Sequence, residues 1–314
     1  MENRGMTQIT ASLVKELRER TGAGMMDCKK ALAETAGDLE AAIDWLRKKG
    51  LAAAAKKAGR ATSEGLVGMV VADGRGALVE VNSETDFVAR NETFQELVRR
   101  ISALALEAAG DIEKLRKLRV AGSGRTVEEE ITQAIAVIGE NIQLRRTAFL
   151  AVEPGVVAGY VHAQVAPQLG RLGVLVALRS KADPAKLAEL GRQLAMHIAA
   201  TNPQAVSVDR LDAALVERER SILAEQARAS GKPEAIVQKM VEGRLRKFYE
   251  EVVLLEQAFV LDPDRRVREV LAAFEKETGE PVEVAGMVRM VLGEGIEKPS
   301  TDFAAEVAQL GGGR

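Results

Sequence analysis

The group in this sequence with the most unusual setting is a single aromatic ring. Ser83-Glu-Thr-Asp-Phe-Val-Ala-Arg-Asn91 places Phe87, one of only seven phenylalanines in the chain, in a polar stretch between an apolar strand and a helix. Two uses fit those residue types. Phe87 can fold back as a plug of its own core while Asp86 caps a turn. Alternatively, an aromatic beside an acid at a loop tip can act as an insertion wedge, since an aromatic anchor on a rigid scaffold is a common binding hot spot.

Other chemistry is thinly provided. Two His and one Cys cannot supply the four ligands of a structural zinc site. Cys28 shares a helical stripe with Met25 and Leu32, which suits a buried small hydrophobe. His162 and His197 have no nearby Ser or Cys in sequence, and His197 sits in an apolar helix, so a satisfied core or rim histidine is expected there. Gly22-Ala-Gly-Met-Met-Asp27 begins like a dinucleotide fingerprint but ends in Asp and follows a helix, which makes it a helix–helix turn. Gly122-Ser-Gly-Arg-Thr126 lacks the Lys of a phosphate loop and reads as a flexible linker. The carboxylates are scattered over helix surfaces, with no acid pair standing out. No nucleotide or metal cofactor is expected.

Composition narrows the partners. The chain has 314 residues, 46% apolar but only 3% aromatic, so its cores must be aliphatic. That length favours more than one compact unit. A net charge of −2 argues against a strongly basic nucleic-acid binder. Lys29, Lys30, Arg47, Lys48, Lys49, Lys56 and Lys57 make the first sixty residues locally basic, either as a solvated face or as a contact for an acidic partner. One Cys fits a reducing compartment. Met1 to Met6 is followed by no leader-like apolar stretch, and apolar runs such as Gly173 to Leu178 are of strand length, far short of a membrane span. A cytoplasmic protein is expected.

These residues need elements to position them. Ser12–Arg20, a second helix carrying Met25, Cys28 and Leu32, and a third with Leu39, Ala42, Ile43 and Leu46 form a three-helix bundle over residues 7–50. Asp38 is the N-cap of the third and Gly50 suits its C′ position; residues 51–60 follow as a tether or helical extension. Residues 65–71 and 77–81 read as a hairpin through Asp73-Gly74, then a loop over 82–91, then a helix opened by a Thr93–Glu96 capping box. The order recurs in strands at 155–161 and 173–178, a loop at 164–170 and a helix from Pro184 to about Ala199. A helix over 127–141 and a strand over 142–152 link the two units. Val260-Leu261 and 282–292 offer further strands for the second sheet. Leu211, Leu215, Ile222, Ile236, Met240, Leu245, Phe248, Val252 and Leu255 are helically spaced around Gly231-Lys-Pro233, predicting an antiparallel helical hairpin with Pro233 at N1. Phe303, Val307 and Leu310 mark a short terminal helix that must dock to be stable. The fold class is α+β with a pseudo-symmetric core.

Several of these stretches together resemble the bacterial elongation factor Ts family. They are Leu13 to Leu32, Glu80 to Arg90, Ile138-Gly-Glu-Asn-Ile-Gln-Leu-Arg-Arg146, Arg171 to Val176, Met240 to Arg244 and Gly293 to Lys298, in family order over nearly the whole chain. Met1 to Gly5 precede the usual family start, and Ala163 to Gly170 are longer than the usual loop.

The resemblance implies a ubiquitin-associated-type three-helix domain (1–54) and two pseudo-symmetric α+β core subdomains (55–152, then 153–207 with 256–292). It also implies an inserted helical hairpin that dimerises (208–255) and a C-terminal docking module (293–314). The implied activity is guanine nucleotide exchange on elongation factor Tu, which holds the GDP and Mg²⁺ while this chain holds neither and performs no covalent chemistry. Carried onto this sequence, Thr85, Asp86, Phe87 and Val88 disturb the partner's Mg²⁺ site. Met25, Lys29, Ile138, Gly139, His162, Phe303 and Val307 are its partner contacts. Nucleic acid and membrane are not among the implied partners. Two rivals from other classes are a peptide-recruiting adaptor built on the N-terminal bundle, without exchange activity, and a hydrolase centred on Cys28.

Overall fold

The computed structural model describes residues 9–72 and 74–296. Three helices come first: α1 (Ala11–Thr21), α2 (Met25–Glu34) and α3 (Leu39–Lys57). Leu17, Cys28, Ala31, Leu32, Ala42 and Leu46 close their small core. Asp38 caps α3 as expected, its side chain accepting from the Ala41 amide. Gly50 does not end that helix. It lies buried in mid-helix, and a Cβ there would stand 3.6 Å from the Ala136 Cβ and 3.9 Å from the Thr132 methyl. Here glycine serves close helix packing instead of termination. Residues 51–57 are therefore the helical extension.

The first core unit is β1 (Glu64–Ala72), β2 (Arg75–Ser83), α4 (Asp86–Ala89), α5 (Glu92–Ala108), α6 (Ile112–Lys117), α7 (Val127–Ile138) and β3 (Ile142–Ala151). The second is β4 (Gly155–His162), β5 (Leu169–Gly170), β6 (Leu172–Arg179) and α8 (Pro184–Thr201). The hairpin α9 (Ala213–Arg228) and α10 (Glu234–Val252) follows, then β7 (Ala258–Phe259), β8 (Asp262–Arg266), α11 (Val267–Thr278) and β9 (Glu283–Val291). The antiparallel sheets run β3-β2-β1-β5 and β4-β6-β9.

Alternation along the strands assigns each face. Leu66, Ala77, Val79 and Val81 meet Phe94, Val98 and Ile101 of α5. Their neighbours Val67 and Leu78 pack instead against Val157, Leu175, Ala177 and Met290 of the other sheet. Val174, Val176 and Leu178 face Leu187, Leu190 and Leu194 of α8. Helices, sheet, sheet and helices thus stack in four layers, which is why both sheets read as continuous apolar runs.

Several local expectations are corrected. Asn91, not Thr93, caps α5, its side chain accepting from the Thr93 and Phe94 amides. The loop over 82–91 contains the helical turn α4, and the loop over 164–170 contains β5, which pairs with β1. Residues 122–126 form a tied turn: Arg119 bridges Thr126, which then caps α7 in a capping box with Glu129. α7 stops at Ile138 because Gly139 takes a left-handed φ of 90°. Val260 and Leu261 lie in the turn of a separate β7–β8 ribbon, outside the second sheet. Pro233 is the N-cap of α10. In the hairpin, Leu223, Ala227, Val237, Val241 and Leu245 make the core, while Ile222 and Ile236 point to solvent. Each is one position from a core residue, while Leu245 and the flanking Met240 and Phe248 lie on the expected stripe.

Candidate functional site

The segment after β2 is held from four sides. Below it, Val88 and Ala89 enter the main core. At its start, the Ser83 hydroxyl donates to the Thr85 carbonyl at 3.0 Å. At its end, the Gln95 side-chain amide donates to the Ala89 carbonyl at 3.0 Å. From the side, the Glu140 carboxylate accepts the Thr85 hydroxyl at 2.6 Å and the Thr85 amide at 3.0 Å. α4 is thus a single turn with little freedom of its own.

On top of that turn stands Phe87, 79% exposed. The core-plug reading is therefore overturned. The plug is Phe94, fully buried one helix start later. Leaving a phenylalanine side chain in water forgoes roughly 1.5–3 kcal/mol of burial. Asp86 beside it is exposed and caps nothing with its side chain. Thr85 is half-buried, and Val88 is only 6% exposed, so Val88 fastens the turn from beneath.

The second expected segment lies against the first. Ile138, half-buried, packs on the main core, and Gly139 follows it, exposed. A Cβ at Gly139 would meet nothing within 4 Å, so glycine is required there by backbone conformation alone. The next residue is Glu140, the clamp on Thr85. The Asn141 amide in turn donates to the Glu84 carboxylate at 2.6 Å.

α7 also carries the N-terminal bundle. Gln133 donates to the Thr21 carbonyl at 2.7 Å, Arg47 pairs with Glu129, and Gly50 seats α3 on the same helix. Five residues of helix, roughly 7–8 Å of rise, separate Gln133 from Ile138. Met25, expected in the bundle core, is instead 60% exposed, and Lys29 is exposed beside it. His162 ends β4 in the other sheet, exposed, its Nδ1 3.1 Å from the Tyr160 hydroxyl. Phe303 and Val307 lie outside the described residues.

Cys28 and His197 are both buried in the packing of their own units. Cys28 is buried, its thiol donating to the Ala23 carbonyl at 3.6 Å, and burial pushes the thiol pKa up despite the Thr21 hydroxyl nearby. That disfavours a nucleophile. His197 is wholly buried; its Nδ1 accepts the Val260 amide and its Nε2 bonds Gln257 at 2.9 Å. Burial pushes this imidazole down, countered in part by Gln257.

Sequence reasoning missed Glu80. It faces the space between the sheets with its side chain fully buried, ion-paired to Arg145 and Arg146. The Asn82 side chain and the Gly293 amide also donate to it. Burial alone would raise the carboxyl pKa, but the Gly293 amide, Arg146 and Asn82 outweigh it and hold the group below the usual range. Charge at a strand position whose neighbours Val79 and Val81 are apolar was the available signal.

The structure is thus an α+β protein with an aromatic ring left exposed on a clamped turn. The comparisons with known proteins agree. The family model "Elongation factor TS" matches residues 84–294. Elongation factor Ts of Rhodospirillum rubrum is 64% identical over 304 residues, covering 96% of this chain and 98% of that protein. Elongation factor Ts of Rhodospirillum centenum is 61% identical over 307 residues, 98% of this chain and all of that protein. That of Maricaulis maris is 59% identical over 311 residues, 98% and 99% of the two chains. The chain belongs to the elongation factor Ts family.

Proposed function

We propose that the chain is a translation factor that binds elongation factor Tu carrying GDP and speeds release of the nucleotide. The observation that carries this is Phe87, exposed on a turn that is fixed on every other side. GDP in a GTPase is held by phosphate-loop amides and by Mg²⁺ through oxygens and water. Those contacts are short and directional, so a displacement of about 1 Å weakens them severely. Phe87 enters between elements of the partner, and its burial there offsets the distortion by roughly 1.5–3 kcal/mol. Asp86, exposed in the same turn, reaches the Mg²⁺ region, while Thr85 and Val88 hold the turn.

The flanking surfaces supply grip. Met25 and Lys29 on the N-terminal bundle, which we read as ubiquitin-associated in type, and Ile138 with Gly139 bear on the partner's GTPase domain. The segment with Phe303 and Val307 does the same, and the second core subdomain with His162 holds another domain of the partner. The hairpin α9–α10, with Ile222 and Ile236 exposed, we read as the dimerisation module. Among the described residues no helix is long and apolar enough to cross a membrane. A cytoplasmic site of action fits the translational role.

Linkage fixes the thermodynamics. The factor by which this chain weakens GDP binding equals the factor by which GDP weakens binding of this chain. Binding is therefore expected to be tight to the empty GTPase and weak to the GDP form. The test is calorimetric titration of elongation factor Tu, with and without excess GDP. Equal affinity in both arms would remove the exchange reading, and a separate pull-down recovering diverse peptides but no GTPase would favour the adaptor.

A further inference from the structure

Two glutamates next to the wedge are used in a crossed arrangement. Glu84 precedes Thr85, and its carboxylate accepts the backbone amide of Asn141 at 2.6 Å. Glu140 precedes Asn141, and its carboxylate accepts the backbone amide of Thr85 at 3.0 Å and the hydroxyl of Thr85 at 2.6 Å. Each segment thus lends a carboxylate to the other segment's next amide. Both bonds are charge-assisted, the class about twice as strong as neutral pairs. Asn141 extends the tie, its side chain donating to the Arg60 carbonyl at 2.9 Å, and Arg60 stands 3.4 Å from Glu84.

The position of this clasp matters more than its strength. Glu84 and Thr85 lead directly into α4, whose second residue is Phe87. Glu140 follows directly on Ile138 and Gly139. The clasp therefore joins the base of the exposed ring to the end of α7, the helix that also carries the N-terminal bundle through Gln133. Val88 and Ala89 fix the depth of the turn. The clasp ties the start of α4 to a segment more than fifty residues away along the chain.

We propose that Glu84 and Glu140 are positioning residues for nucleotide release: their reciprocal clasp sets the angle and rigidity with which Phe87 is presented. This rests on the wedge reading. Force applied to a partner through the ring is returned through the clasp to α7 rather than dissipated by rocking of α4. Glu140→Ala leaves Phe87 exposed but unbraced. Glu140→Gln can still accept the Thr85 amide and donate to the hydroxyl, so it restores part of the brace.

The test has two readouts on the full chain. Hydrogen exchange in the free protein reads the clasp itself. Removing a charged acceptor is expected to speed exchange about tenfold or more at Thr85 in Glu140→Ala and at Asn141 in Glu84→Ala, with Glu140→Gln between. Release of a fluorescent GDP from elongation factor Tu reads the consequence. Glu140→Ala is expected to lower the maximal release rate at saturating factor by about tenfold, with little change in the half-saturating concentration. Glu140→Gln recovers part of that loss. Combined with Phe87→Ala, Glu140→Ala should cause no further slowing, because both act through one ring. Unchanged exchange at Thr85, or full additivity in the double variant, overturns the clasp. Wild-type release by Glu140→Ala beside a slowed Phe87→Ala also overturns the clasp and leaves the wedge standing. Wild-type release by Phe87→Ala overturns the wedge itself.

Discussion

The two hairpin-plus-helix units share an order of elements and differ in where they spend chain. In the first, Ala72 pairs with Arg75 across a tight turn, and the long connection is residues 84–91, between strand and helix. In the second, His162 pairs with Leu172 across the long connection that contains β5, and only residues 180–183 join strand to helix. The packing is alike: α5 and α8 each cover the outer face of their hairpin. The short link of the second unit is consumed by Asp183 capping α8. The longer link of the first has room for α4, and with it a ring the core does not use. The proposed function sits on the connection that the core leaves free.

The largest test of that contrast uses two phenylalanines seven positions apart. Phe94→Ala empties a buried site and is expected to cost about 3–5 kcal/mol of stability in urea unfolding. Phe87→Ala should change stability by less than about 0.5 kcal/mol. A comparable loss at both positions would place Phe87 in the core after all.

Next is Glu80, which ties the first unit to the end of β9. Glu80→Ala strands Arg145 and Arg146 and should cost about 3 kcal/mol. Its carboxyl is held below the ordinary 4.5, so its contribution is present above that pH and is lost as pH falls through the lower folded value. His197 gives a separate window in the second unit. Its folded pKa is depressed from 6.5, so the neutral form is favoured. Stability should be full above 6.5 and fall below it, with a slope of at most about 1.4 kcal/mol per pH unit. His197→Gln should flatten that slope while leaving the drop below 4.5 in place. The smallest effect is Gly139→Ala, expected at about 1 kcal/mol from the left-handed backbone alone. A neutral result there would mean that residues 138–140 readily adopt another path.

Much of the fold was legible because burial on both faces wrote both sheets into the sequence as apolar runs, such as Leu66 to Val71 and Gly173 to Leu178. Asp38 and the hairpin that brings Ala72 against Arg75 were legible because caps and tight hairpins are local chemistry. Gly50 was not, since a glycine that ends a helix and one that admits a neighbour look alike until α7 is in place. Most of the hairpin stripe was legible, but at two positions Leu223 and Val237 take the inner face in place of the adjacent Ile222 and Ile236, a choice that apolar type alone does not decide. At the site, Phe87 stood out by type, but its exposure depended on Phe94 filling the core instead. Glu140 lies in a stretch that stood out, but its pairing with Thr85 was not legible, because the two are far apart along the chain.

On the proposed reading, the exposed ring on α4 does mechanical work on another molecule. It is tested most directly by rapid mixing of elongation factor Tu bearing fluorescent GDP with saturating wild-type or Phe87→Ala protein. The expected result is release slowed about ten- to a hundredfold by the variant, matching the lost burial, with binding to the empty GTPase largely kept. Release at the wild-type rate would contradict the account.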